Sequence, residues 1–232
     1  MSLRHTLDIT MNLRNAIVAG ITAGVLTTAA TAATNGFYAP YFRGVPGTDV
    51  AGWDRFTSGS ATANQPDLPG SNTGTRASIT QLDPVGAVLG SGNIYVGIGG
   101  AANVRIDYSS LAPVGEVFLQ IRTLGTEMNY AGLRLNYTSG SGPVSVGANP
   151  FVLAAVPSQG FPGQNISLGY NWTINDPTVT AFNVSFQATG EHLSLDAVTL
   201  DVLPVSAVPE PSTWALGIFG LGAIAVAIRR RG

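Results

Sequence analysis

The chain has 232 residues, with 11 arginines and no lysine against 13 acidic side chains, for a net charge of −2. That balance excludes the basic excess on which nucleic-acid and anionic-lipid binding rely, and the lack of cysteine excludes disulfides, thiolate metal sites and a cysteine nucleophile. Charged residues make up 10% of the chain while glycine alone contributes 29 residues, a composition of strands and turns more than of amphipathic helices.

The N-terminus reads as an export signal. Arg4 and Arg14 precede an apolar run of small residues from Ala16 to Ala33, and Ala30-Thr31-Ala32 supplies an A-x-A cleavage site for signal peptidase, with cleavage after Ala33 as the neighbouring choice. Met11 offers a second start, because Asn12-Leu13-Arg14-Asn15 then forms a compact n-region and the acidic Asp8 falls before it. A permanent N-terminal anchor competes with this reading, but Thr27-Thr28-Ala29-Ala30 would make a poor spanning helix. Residues 1–33 are therefore expected to be a signal peptide.

Residues 34–207 follow as one passenger domain, long enough to bury about 70% of its unfolded surface. Within 34–208, six arginines face eleven acids, a net of −5. Taken in chain order, period-two patterns predict strands near Thr48–Thr57, Arg76–Leu82, Asn93–Ile98, Asn103–Tyr108, Glu116–Leu124, Leu133–Thr138, Ile166–Ile174, Val179–Ala188 and His192–Leu203. The clearest is the seventh, where Ile166, Leu168, Tyr170, Trp172 and Ile174 alternate with Ser167, Gly169, Asn171 and Thr173. Breaks rich in Gly, Pro and Asn, such as Asn64–Gly74, Ser139–Pro143 and Pro157–Gln164, separate the strands, and no amphipathic helix of three turns falls between them. The fold class is all-β: a single antiparallel β-sandwich, with the jelly roll as one form of it, flanked by the signal peptide and a C-terminal transmembrane helix.

In the last strand the apolar positions run Leu193, Leu195, then Val198, Leu200, Val202, so the phase shifts by one residue at Asp196-Ala197, which predicts a β-bulge. The stretch Leu193-Ser194-Leu195-Asp196-Ala197-Val198-Thr199-Leu200 resembles the closing strand of carbohydrate-binding jelly rolls. Pairing with Gly52-Trp53-Asp54-Arg55-Phe56 would then bring the two ends of the domain onto adjacent strands.

Catalytic constellations are sparse. His192 is the histidine of the passenger, so a Ser-His-Asp triad would have to be built on it, whereas its place after Glu191 suits an exposed residue at the start of a strand. Gly97-Ile98-Gly99-Gly100 ends a strand with no helix behind it and reads as a turn, not a phosphate cradle. Glu116 and Glu127 are carboxylates from which a glycosidase pair could be drawn, though both occupy positions where solvated acids are ordinary. No cofactor is expected beyond a structural calcium ion held by Asp49 or Asp54 together with Asp196, since loop carboxylates are hard oxygen ligands. Trp53 and Trp172 sit in strong strand patterns and are expected in the core, while Phe37, Tyr38, Tyr41 and Phe42 cluster just after the signal peptide and could stack on sugar.

The C-terminus runs Val208-Pro209-Glu210-Pro211, Ser212-Thr213-Trp214, an apolar stretch from Ala215 to Ile228, Arg229-Arg230-Arg231 and Gly232. Residues 214–228 carry no charge and would make about 22 Å of helix at about 1.5 Å per residue, slightly short of a bilayer core of about 30 Å. Trp214 suits one membrane interface, and the three arginines suit the cytoplasmic one, which puts everything before Pro209 outside. The two prolines flanking Glu210 remove backbone donors and hold that segment extended just outside the membrane. A permanent single-pass anchor would account for the apolar span and the arginines but not for Pro-Glu-Pro.

Pro-Glu-Pro, apolar span and basic stop, in that order, closely resemble the C-terminal signal of PEP-CTERM proteins, so residues 208–232 are read as a sorting tail. The resemblance covers about a tenth of the chain and implies an exported bacterial protein processed by the membrane enzyme exosortase and often encoded with exopolysaccharide machinery. The expectation is an exported cell-surface or extracellular-matrix protein associated with polysaccharide and without catalytic activity. A carbohydrate-binding jelly-roll module and a secreted hydrolase are the alternatives.

Overall fold

Alternation of apolar and polar residues turns one side of most strands toward a common core, and the strands pair accordingly. The computed structural model describes residues 37–157 and 163–205. The expected signal peptide with Ala30, Ala32 and Ala33, and the tail with Val208, Pro209, Glu210, Pro211, the span 214–228 and Arg229, Arg230 and Arg231, lie outside the described residues. The chain divides into two units, Met1–Tyr41 and Phe42–Gly232; of the first, residues 37–41 are described and form neither helix nor strand.

The second unit is all-β and antiparallel. Its strands are β1 (Asp49–Trp53), β2 (Ala77–Gln81), β3 (Ala87–Val88), β4 (Ile94–Val96), β5 (Asn103–Ser109), β6 (Val114–Gly125), β7 (Arg134–Ser139), β8 (Gly142–Gly147), β9 (Phe151–Pro157), β10 (Gln164–Thr173), β11 (Ala181–Gln187) and β12 (Leu193–Pro204). Two one-turn 3-10 helices, at Gly74–Arg76 and Tyr130–Gly132, are the helical elements among the described residues, none of which forms a helix long and apolar enough to cross a membrane. One sheet runs β3-β4-β12-β6-β10-β9, with β1 alongside the second half of β12, and the other runs β2-β5-β11-β7-β8.

All nine expected strands are present, most within two residues of the predicted ends. Three others are not foreshadowed: β3, β8 and β9. The expected break at Ser139–Pro143 is a hairpin turn, with Ser139 paired to Gly142, and β8 continues beyond it.

The inward faces of the two sheets share one core that includes Trp53, Ile79, Ile106, Leu119, Ile121, Tyr170, Trp172, Val184, Val198 and Leu200. Both tryptophans are buried, as their strand patterns predict. The bulge is also where the phase shift puts it, with the register of β12 against β6 moving between Leu195 and Ala197. Opening and closing strands lie side by side, Trp53 opposite Val198 and Gly52 opposite Thr199.

The outward face of β12 is covered too. Gln120 and Thr199 are buried there and bonded to each other, Nε2 to Oγ1 at 3.2 Å. Leu68 lies so close over Gly52 that a Cβ at residue 52 would fall 2.7 Å from it, so glycine is required at that point. Beside them Arg43 clamps Asp201, donating from Nε to Oδ1 at 2.6 Å and from Nη2 to Oδ2 at 2.5 Å. The Asp201 side chain is 0% exposed and that of Arg43 is 16% exposed. Burial pushes the Asp201 carboxyl up, and the guanidinium pulls against that shift.

Removing the arginine alone would strand a buried carboxylate, so Arg43→Ala is expected to cost about 3–5 kcal/mol, read as a lower urea midpoint. The double change Arg43→Met with Asp201→Leu should recover most of that loss, because no unpaired charge is left behind.

Candidate functional site

On the outward face of the larger sheet, away from the Arg43 clamp, the first half of β12, strand β4 and the end of β6 line a cleft of about 900 Å³. The register assembles it. Ser194 of β12 stands opposite Tyr95 of β4 on one side and Leu124 of β6 on the other, so three side chains of different chemistry share one face. The bulge adds a fourth: the extra residue, Asp196, enters the cleft and accepts a hydrogen bond from Nε of Arg122. Asn93, just before β4, is buried and donates Nδ2 to Ser194 Oγ at 3.3 Å.

His192 stands at the rim. Its backbone N–H donates to Val96 O at 2.9 Å, and its carbonyl accepts from the Thr126 N–H at 3.2 Å. Its Nδ1 lies 2.7 Å from the Tyr95 hydroxyl, and the two rings lie side by side, centroids 6.2 Å apart and planes 26° apart. The backbone at His192 is left-handed, φ 67°, a conformation that costs a residue with a Cβ about 1 kcal/mol or more. The outward face of the smaller sheet is polar, with side chains bonded to one another: Asn136 Nδ2 donates to Asn183 Oδ1 at 3.0 Å, and Ser145 Oγ donates to Asn136 Oδ1 at 2.7 Å.

The residues weighed for chemistry in the sequence are dispersed. His192 is an exposed residue at the start of β12, as its sequence position suggests, and its ring is engaged with Tyr95. Glu116 lies near the start of β6 and Glu127 two residues past its end, with about 30 Å of strand between Glu116 and Gly125 at about 3.3 Å per residue, far beyond the spacing of a glycosidase pair. Glu116 accepts from Asn171 Nδ2 at 3.2 Å, and Glu127 sits in the turn after the strand.

Each of the three acids considered for calcium has a partner of another kind. Asp196 pairs with Arg122, while Asp54 lies against Asp67, its N–H donating to Asp67 Oδ1 at 3.1 Å. Burial raises the Asp67 carboxyl; the Asp54 N–H works against that shift, while the Asp54 carboxyl adds to it. Asp49 accepts from Arg76 at both oxygens and from the Tyr108 hydroxyl at 2.5 Å. Among the described residues no group of three or more His, Asp or Glu is placed to hold a metal ion.

Burial alone would raise the Asp49 carboxyl, but the bonds from Arg76 and Tyr108 outweigh it and hold the group below its ordinary value of 3.8.

The sequence motif with a recognisable counterpart lies elsewhere. Residues 207–231 match the PEP-CTERM protein-sorting motif, a span that takes in Val208–Pro211 and Arg229–Arg231. The chain carries a PEP-CTERM sorting signal. The match does not reach the sandwich, and no curated protein matches the chain. Among solved structures, the chain is similar to the enzymatically active domain of tailspike protein 4 of bacteriophage CBA120, at 12% identity and a TM-score of 0.28, over 74% of this chain and 21% of that one. The chain thus spans about a fifth of that structure's length, and so low a score carries neither fold nor function across.

The depressed Asp49 carboxyl yields a pH prediction. A folded value below the unfolded one means stability that is present above about pH 3.8 and lost as the pH falls through the folded value. Asp49→Asn is expected to lower stability at neutral pH by about 1.5–3 kcal/mol and to flatten the acid limb of a plot of urea midpoint against pH.

Proposed function

We propose that this is an exported, exosortase-sorted protein of the cell surface or extracellular matrix, whose β-sandwich is displayed as a non-catalytic component alongside exopolysaccharide. The single observation that carries the reading is the sorting motif at residues 207–231, which begins three residues after the last residue of β12. In this reading signal peptidase removes residues 1–33 after Ala33 or at the Ala30-Thr31-Ala32 site, and the tail holds the precursor in the membrane until exosortase acts near Val208-Pro209-Glu210-Pro211. Arg229, Arg230 and Arg231 fix the orientation of the apolar span.

Support for a structural role comes from the separation of Glu116 from Glu127, which keeps those two from acting as a glycosidase pair, and from the engagement of the His192 ring with Tyr95. Support for the jelly-roll form of the sandwich comes from strand order. β1-β12-β6-β10 in one sheet and β5-β11-β7-β8 in the other are the order of eight strands wound as two Greek keys, with β2, β3, β4 and β9 as additions at the edges.

Intact-mass analysis of the protein recovered from a host that contains exosortase tests the sorting. The mature chain is expected to lack the residues beyond Pro-Glu-Pro, and Glu210→Ala is expected to accumulate the precursor. Recovery of a chain ending at Gly232 from that host would overturn the proposal.

A further inference from the structure

Three backbone concessions converge on the cleft beside β4. Among the described residues His192 alone of the non-glycines has a left-handed backbone, although a glycine would make the same turn without strain, so the turn does not explain the imidazole. Gly125 lets the end of β6 approach it: a Cβ there would lie 2.2 Å from the His192 carbonyl oxygen. Gly97 clears the flank of Tyr95, where a Cβ would lie 3.0 Å from the ring. The outcome of all three is a phenol and an imidazole joined edge to edge as one nearly flat plate.

The polar groups around that plate are few and aimed inward. Asn93 spends one N–H on Ser194 and keeps the other N–H and its carbonyl oxygen, and Ser194 keeps its own hydroxyl proton. Asp196 supplies a carboxylate whose charge is compensated by Arg122, so the cleft carries no net cation to hold an anion. A volume of about 900 Å³ stands near the upper end of ordinary ligand sites, about 300–1,000 Å³. Ring plate, bidentate amide, hydroxyl and compensated carboxylate match a ligand with an apolar C–H face and a rim of neutral hydroxyls.

We propose that this cleft binds a segment of neutral polysaccharide, with a sugar ring seated on Tyr95 and His192 and its hydroxyls bonded to Asn93, Ser194 and Asp196. This deepens the polysaccharide part of the function proposed above and rests on that part, not on the cutting of the tail. The left-handed His192 is then strain retained for the ligand, and the same residue should show opposite effects on stability and on binding.

Calorimetric titration of the full chain, in a detergent without a sugar headgroup, tests this with three neutral hexasaccharides, of glucose, mannose and galactose, and one uronic acid hexasaccharide as the anionic probe. At least one neutral probe is expected to bind more tightly than the uronate. Tyr95→Ala and Asn93→Ala are each expected to weaken it by about tenfold or more. His192→Gly, which relieves the backbone and so keeps the fold, is expected to raise the melting temperature while weakening the same titration. The proposal is overturned if no neutral probe binds, if the uronate binds as tightly, or if binding survives both His192→Gly and Asn93→Ala unchanged. Its failure would leave the masses of the mature chain as they are, and a chain ending at Gly232 would leave the titration as it is, so the two readings fall separately.

Discussion

The pairing of β12 with β6, from Leu193 opposite Gly125 to Pro204 opposite Val114, is the constraint on which the rest of the domain depends. β12 is the last strand in the described chain, yet it lies inside the larger sheet, flanked on its other side by β4 in its first half and β1 in its second. Its inward residues Val198, Leu200 and Val202 close the core, and its outward Asp201 receives the Arg43 clamp. β1 and β4 have no place in the sheet until β12 is laid down, and all three pairings join residues far apart in sequence. Loop-closure entropy must be met before any of them contributes, which makes this a slow-folding topology that completes only when nearly the whole passenger has been made.

The same strand ties structure to function. Ser194 and the bulged Asp196 bring polar groups into the cleft, and the sorting motif starts three residues after Pro204. A domain held by a central strand transmits a pull on its C-terminus into its most buried ladder, where many backbone hydrogen bonds resist together. A tail joined to an edge strand would peel. That placement suits the surface display proposed above.

Much of the fold is legible in the residues because burial leaves period-two traces. Ile166 to Trp172 alternate cleanly, and the single phase slip at Asp196-Ala197 is enough to locate the bulge. β9 escapes because Phe151-Val152-Leu153-Ala154-Ala155-Val156 is apolar without alternation and lies between prolines; it is an edge strand, exposed on both faces, so nothing selects a pattern. β8 is hidden by Pro143, which an edge strand tolerates, and β3 is two residues long.

The cleft is harder to read. Tyr95, Asn93, Ser194 and Asp196 come from distant segments and are residue types found on any outward strand face. The left-handed backbone of His192 leaves no mark in the sequence, because glycine, its usual sign, is absent there. Gly97 and Gly125 are the traces that remain, and each looks like an ordinary strand end until the neighbour it admits is seen.

Hydrogen exchange followed residue by residue on the native protein tests the role of β12 most directly. Amides of β12 and β6 should be the slowest in the molecule and should exchange together, with a free energy equal to that of global unfolding. Early exchange along β12, at the pace of a fraying terminal strand while β6 and β10 stay protected, would contradict the account.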